Sequence, residues 1–275
     1  MGTSSTKSRN RDDHVLPQGY LRGFVDPVRR RLPQPLWVYF LKTQRWKQKS
    51  PAQVGYKPGF YDYSQDGKPD QTADQAFMAF ENNFPRIRDA IIKEGFSTWP
   101  KHRGFLLNFG QMLRARTLLF RQQHGSWTEK AVWSLSPTDL KRGEEMAKNW
   151  AITDMRSEIQ RGSGWFSRFD WAMRFTTDPN DPVITSDVPL VVEGSKKPDL
   201  QTAIDLGEDT IVYLPLCWQM CRIGHRRKDC EETAEFPSPA LHYFRVLLAK
   251  YAVEFLFSPT KQTIVDPDLQ VHIES

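Results

Sequence analysis

A chain of 275 residues with 39% hydrophobic and 12% aromatic residues, including nine Trp and 17 Phe, has enough apolar material for a substantial core, which excludes an intrinsically disordered class. The formal net charge of +5 is concentrated early: residues 1–50 hold eleven Lys/Arg against three acids, and the remainder 27 against 30. No apolar run approaches the ~20 residues of a bilayer span, the first residues lack an apolar leader, and three Cys fit free thiols in a reducing compartment, so a cytoplasmic protein without membrane contact is expected.

Residues 1–12 read as a flexible polar tail and 13–275 as a single domain, because no Pro/Gly/Ser-rich linker divides the chain. His14–Val25 predicts a short helix entered through Pro17. Leu36–Lys42 and Arg45–Lys49 bracket a turn and predict a β-hairpin. Ser50–Tyr63 reads as loop, with a turn at Pro58–Gly59. Over Asp74–Lys93, Phe77, Phe80, Phe84, Ile87 and Ile91 recur at helical spacing, with Pro85 marking a kink or boundary. Lys101–Gln123 predicts a second helix, with Phe105, Phe109, Met112, Leu113, Leu119 and Phe120 on its buried arc. Ser136–Arg161 predicts a third, begun by Ser136 and Pro137.

The later chain changes character. Trp165–Phe175 alternates, and Val183–Val192 and Thr210–Gly224 are apolar on both faces, as strands of a covered sheet are. Pro237–Pro259 predicts a closing helix. The expected class is α+β: a helical N-terminal and middle portion packed on a late mixed β-sheet, with a closing C-terminal helix.

Polar residues inside apolar patterns locate candidate chemistry. Thr185, Ser186 and Asp187 interrupt the Val183–Val192 run before Pro189 stops it; a buried carboxylate must be paired, hydrated or used. Its plain reading is a side-chain-to-backbone turn bond. Arg116 lies in the apolar arc of the second helix and needs a carboxylate or an anionic ligand. If the first two long helices pack antiparallel, Glu81 meets Arg116; the pair is then either a buried structural bridge or a guanidinium presented to phosphate. His14 is a candidate acid or base.

Cys217, Cys221, His225 and Cys230 do not make a zinc knuckle: on one strand, Cys217 and Cys221 would stand about 13 Å apart. No structural zinc is expected. No GxGxxG, Walker, HExxH, GxSxG or kinase motif occurs, so no nicotinamide or flavin is expected either.

The motifs HVLPQGYLRGF (His14–Phe24), LWVYFLK (Leu36–Lys42), GYKPGFYDY (Gly55–Tyr63), QMLRART (Gln111–Thr117), PVITSDVPLVV (Pro182–Val192) and TIVYLPLCWQMCRIG (Thr210–Gly224), with Glu81 between them, resemble in order the mainly bacterial domain-of-unknown-function family 4238. Two departures stand out: Val188 where the family pattern looks like ITSDNP, and Cys217–Trp218 where it looks like PLSP. The resemblance implies one compact unit in which His14, Tyr61, Glu81, Gln111, Arg116, Thr185, Ser186 and Asp187 converge. It implies no reaction.

The residue types support a hydrolase acting on a phosphate-bearing substrate such as RNA or a nucleotide. His14, Glu81 and Asp187 would be its catalytic groups, with a divalent metal ion as an option. Tyr61, Gln111, Arg116, Thr185 and Ser186 would bind the substrate anion. The alternative is a non-catalytic module that binds nucleic acid, another polyanion or a partner protein through the basic aromatic segment 29–49.

Overall fold

The computed structural model describes residues 12–27, 35–58, 60, 63–65, 68–70, 72–120, 149, 153, 157, 166–194, 207–226, 233–266 and 271–274. In chain order the strands are β1 Asp12–His14, β2 Leu36–Phe40, β3 Arg45–Lys49, β4 Tyr56–Pro58, β5 Tyr63–Gln65, β6 Lys68–Asp70, β7 Asp170–Phe175 and β8 Thr185–Ser186. They continue with β9 Val191–Glu193, β10 Ile211–Cys217, β11 Met220–His225, β12 Thr233–Glu235, β13 Phe255–Ser258, β14 Ile264–Asp266 and β15 Val271–Ile273. The helices are α1 Gln18–Leu21, α2 Thr72–Glu94, α3 Arg103–Ala115 and α4 Ser238–Tyr251. The fold is α+β.

One sheet runs β12-β7-β11-β10-β9 and is mixed, since β12 lies parallel to β7 and the other pairs are antiparallel. A second, fully antiparallel sheet runs β3-β2-β13-β8. The apolar run Val183–Val192 supplies strands to both. Thr185 and Ser186 pair with Phe257 and Leu256 in the second sheet; Val191–Glu193 pair with β10 in the first. Between them Pro189, which has no N–H for a ladder, marks the crossing. The expected single strand is therefore a corner shared by two sheets.

Thr210–Gly224 is a hairpin rather than one strand. It turns at Trp218–Gln219, so Cys217 and Cys221 lie on neighbouring strands and the distance expected for a single strand does not apply. Pro215 interrupts the β10 ladder, with a register irregularity between Pro215 and Cys217. The Pro237–Pro259 helix stops at Tyr251. Phe255–Ser258 becomes the strand that joins the early hairpin to β8, so strands follow the last helix and the sheet draws on both ends of the chain. A strand's pairing depends on remote partners, which periodicity within Pro237–Pro259 does not contain.

The second long helix also divides. Phe96–His102 is a 3-10 helix, α3 ends at Ala115, and helical structure resumes at Leu118. Thr117 causes the break: its Oγ1 donates to the Arg114 carbonyl at 3.0 Å and accepts the Phe120 N–H at 3.1 Å, as a helix-capping hydroxyl does. Residues 121–123 lie outside the described residues. So does most of the expected Ser136–Arg161 helix, within which Asn149, Thr153 and Ser157 are helical. Within Ser50–Tyr63, expected as loop, Pro51–Gln53 is a 3-10 turn and β4 pairs with β1.

The helices flank the five-stranded sheet because adjacent strand residues face opposite ways. Tyr213 packs on Phe244 of α4, its ring 5.4 Å away. Leu214 faces α3, where a Cβ on Gly110 would come within 2.7 Å of Leu214 Cδ2. Phe84 of α2 stacks on Phe109 of α3 at 3.9 Å, and Tyr20 of α1 fills the angle between them. No described helix is long and apolar enough to cross a membrane.

α1 docks on α2 at Pro85. Pro85 has no N–H for the Glu81 carbonyl, and Gly19 approaches this point so closely that a Cβ there would lie 2.9 Å from Pro85 Cγ. Arg88 secures the contact by donating to the Gly19 carbonyl at 3.0 Å. Gly19→Ala should force the helices apart and destabilise the fold by about 1–3 kcal/mol, the usual cost of overpacking. Urea unfolding followed by circular dichroism checks this; an unchanged midpoint contradicts the close approach.

Candidate functional site

Arg116 is the capping residue at the C-terminal end of α3 and is only 1% exposed. Its Nη1 donates to Glu81 Oε1 of α2, its Nη2 donates to the His14 backbone carbonyl of β1, and its guanidinium carbon lies 4.6 Å from the Phe77 ring centroid. Residues 14, 81 and 116 thus meet through one guanidinium. The contact between Glu81 and Arg116 that the helical wheel makes conditional is formed. Glu81 is the open side of the pair, its side chain 28% exposed.

The His14 ring is half-buried beside β4, edge-on to Tyr56 at 6.2 Å. Gln18 Nε2 lies 2.7 Å from His14 Nε2. An amide nitrogen only donates, so His14 Nε2 is the acceptor and the neutral ring carries its proton on Nδ1. Gln111 is buried on α3, less than two turns before Arg116. Tyr61 lies outside the described residues.

Thr185 belongs to a second group, reached through the same short helix. The Tyr20 hydroxyl donates to the Pro215 carbonyl at 2.9 Å, which leaves its oxygen to accept from Thr185 Oγ1 at 2.8 Å. β9 pairs with β10 only as far as Tyr213, so the Pro215 carbonyl takes its hydrogen bond from a side chain. Burial pushes the Tyr20 phenol well above its ordinary pKa. It is a fixed neutral tie between α1, β8 and β10.

Ser186 and Asp187 form the sheet-to-sheet corner. Ser186 Oγ donates to the Val188 carbonyl at 2.8 Å and accepts the Val188 N–H at 3.1 Å. Asp187, 7% exposed, accepts the backbone N–H of Val253 on Oδ1 at 3.0 Å and that of Glu254 on Oδ2 at 2.7 Å. Both oxygens hold the turn between α4 and β13. Desolvation nonetheless pushes the Asp187 carboxyl up to about 6, against the opposing pull of those amides. Glu254 also links this corner toward β1: it pairs with Lys57 at 2.6 Å, and Lys57 stands opposite Asp13 in the β1–β4 ladder.

The structure therefore brings the Glu81 carboxylate and the His14 backbone carbonyl onto Arg116, with the His14 ring turned to Gln18 and Tyr56. It ties Thr185 to α1, and it gives Ser186 and Asp187 to backbone groups. Sequence reasoning passed over Tyr20 and Gln18, although both lie in the same motif as His14; their helical spacing was read only as local structure. It also passed over Arg222, a cation inside the apolar Thr210–Gly224 run, where the rule applied to Asp187 would have marked it. Cys217 and Cys221 are buried thiols; burial pushes Cys217 up to about 11 and raises Cys221 further. Cys230 lies outside the described residues. Among the described residues no three His, Cys, Asp or Glu side chains are grouped to hold a metal ion.

Residues 13–232 match the family model described as "Protein of unknown function (DUF4238)", and the chain belongs to that family. The ordered motifs from His14 to Gly224 resemble the right family. No curated protein and no solved structure matches the chain.

Two outcomes follow from this geometry. Glu81→Ala leaves a buried guanidinium without its carboxylate and should cost about 3–5 kcal/mol. The double variant with Arg116→Met should cost well below the sum of the two single variants, read as coupling in urea unfolding. The second outcome concerns pH. Native Asp187 keeps its proton to about pH 6, whereas the unfolded carboxyl releases it near 3.8, so unfolding releases a proton in that window and stability falls as pH rises through it. The stability of the wild type relative to Asp187→Asn should therefore drop by about 3 kcal/mol between pH 4 and pH 7. A flat difference across that range contradicts the raised carboxyl.

Proposed function

We propose that this member of the DUF4238 family is a hydrolase acting on a phosphate-bearing substrate, such as RNA or a nucleotide, with His14 and Glu81 as its reacting groups. The observation that supports the reading is the buried Arg116 guanidinium, which holds the Glu81 carboxylate and the backbone carbonyl of His14, so that two chemically able side chains stand on residues joined through one cation. Glu81 and His14 are each partly covered.

The chemistry follows from exchange of partners at Arg116. A phosphate oxygen takes the place of Glu81 on the guanidinium fork, which suits phosphate as well as carboxylate. Glu81, released beside the bound phosphate, accepts a proton from the attacking water as the new O–P bond forms. His14 in its protonated form gives its proton to the leaving oxygen as the old P–O bond breaks. Thr185 and Asp187 keep their positions in this reading: one anchors α1 and the other holds the sheet corner. A divalent cation on the substrate phosphates is compatible with Glu81 as a ligand.

A second reading has one observation in its favour. Among the described residues β3 is an edge strand of its sheet, and Arg45 and Lys47 are exposed along it, with Lys42 at the hairpin turn. Such an edge attracts polyanions, and it equally discourages strand addition. Its aromatic residue is occupied: Trp46 donates to the Glu274 carbonyl at 2.9 Å and packs on Tyr39. Residues 29–34 of the segment lie outside the described residues.

The test is hydrolysis of a generic phosphodiester and of single-stranded RNA, with and without Mg²⁺ or Mn²⁺. His14→Ala and Glu81→Gln should each lower turnover by about 10²–10⁴-fold while remaining folded. Wild-type protein without turnover on any of these substrates, or folded variants at wild-type rates, overturns the hydrolase. Salt-dependent RNA binding that survives Glu81→Gln and is lost in the Arg45→Glu, Lys47→Glu pair supports the binding module instead.

A further inference from the structure

Arg222 is the second fully buried arginine of this fold and differs from Arg116 in what surrounds it. It lies on β11, on the face of the five-stranded sheet opposite α4, across from Leu214 and Met173 in the ladders. It is 0% exposed, and its Nε, Nη1 and Nη2 atoms all lack a hydrogen-bond partner. Two indole rings sandwich it: its guanidinium carbon is 4.5 Å from the Trp99 centroid and 4.6 Å from that of Trp171.

Ring faces attract a guanidinium but leave its in-plane N–H groups unsatisfied. A buried cation with every donor open is costly, and proteins ordinarily meet that cost with an anion. The charges nearby do not help: Arg103 is a positive neighbour, and the first turn of α3 carries no acid. Burial and Arg103 together push Arg222 down to about 9.

Trp171 is built into the sheet; its Nε1 donates to the Phe166 carbonyl at 2.9 Å. Its ring has room because residue 224 is glycine, where a Cβ would lie 3.1 Å from the indole. Trp99 belongs to the 3-10 segment Phe96–His102 and is that segment's one buried residue. Gly95 precedes the segment at φ 103°, and neither Gly95 nor Gly104 has any atom within 4 Å of where a Cβ would stand. Trp99 is thus a buried plug against Arg222, carried by a segment bounded by two glycines and stacked on β7 through Phe96 and Phe175 at 4.6 Å.

We propose that Arg222 anchors a binding site for a small oxyanion, a phosphate or carboxylate compound, that opens when Trp99 lifts from the guanidinium. Trp171 is one wall, Arg222 supplies the fork, and exposed Arg103, whose charge reaches Arg222, favours a negative ligand; Lys101 is paired with Glu94 at 3.8 Å. The site is independent of the His14 cluster. Arg103 begins α3 and Arg116 caps its far end, about 20 Å away along the 13-residue helix.

The test titrates the full chain with pyrophosphate and, separately, succinate at constant ionic strength, reading tryptophan fluorescence and thermal unfolding. The wild type should show a saturable fluorescence change and a raised Tm with one of the two, which identifies the head group. Arg222→Met should abolish both responses, and it should stay folded because an apolar side chain of similar volume replaces an unpaired charge. Trp99→Phe should tighten binding several-fold, since a smaller plug costs less to lift. No saturable response of the wild type to either anion overturns the proposal, as does an unchanged response in Arg222→Met.

Discussion

A guanidinium that cannot reach water has to be met by the protein, and Arg116 organises the early part of this molecule for that reason. Its guanidinium joins three parts of the chain that are far apart in sequence: His14 of β1, Glu81 and Phe77 of α2, and the end of α3 that carries Arg116 itself. The geometry is satisfied only when His14 presents its backbone carbonyl and Glu81 its carboxylate from one side, over the Phe77 ring. Misplacing any of the three leaves a buried charge, whose cost of several kcal/mol is comparable to the whole stability of a domain. Packing of apolar surface alone would not choose among nearby registers so sharply.

Corresponding selectivity operates at the corner between the sheets. Thr185, Ser186 and Asp187 are bonded outward in three directions: to Tyr20 of α1, to the local turn, and to the amides after α4. The two sheets, the short helix and the closing turn are all positioned by this tripeptide. Its carboxylate is held against its own desolvation, so the corner gains directional bonds while retaining an electrostatic cost. That combination gives a polar tripeptide a structural reason to stand inside an apolar run.

Arg116 and Arg222, two of the four buried arginines among the described residues, make an instructive contrast. Arg116 has a carboxylate, a carbonyl and one ring; Arg222 has two rings and no acceptor. The first behaves as a closed internal circuit that a substrate must enter by exchange. The second is electrostatically incomplete. Both stand in apolar patterns, Arg116 on a helix and Arg222 on a strand, and both obey the same rule about buried cations.

Local patterns were sufficient for the early hairpin, for α2 with its Phe77–Phe84–Ile91 stripe, for the α+β class, and for the expectation that Arg116 needs a carboxylate or an anionic ligand, with Glu81 as the carboxylate if the helices pack antiparallel. These follow from side-chain periodicity and from the cost of burying charge, both properties of the chain itself. The break of the second long helix at Thr117, the hairpin at Trp218–Gln219, the strand after Tyr251 and the division of Val183–Val192 between two sheets were decided by tertiary structure. A strand is defined by the partner that completes its hydrogen bonds, and each of those partners lies far away in sequence. The partners of Asp187 were decided in the same way: a carboxylate in an apolar run announces that it needs donors, but only the folded chain places Val253 and Glu254 there to supply them.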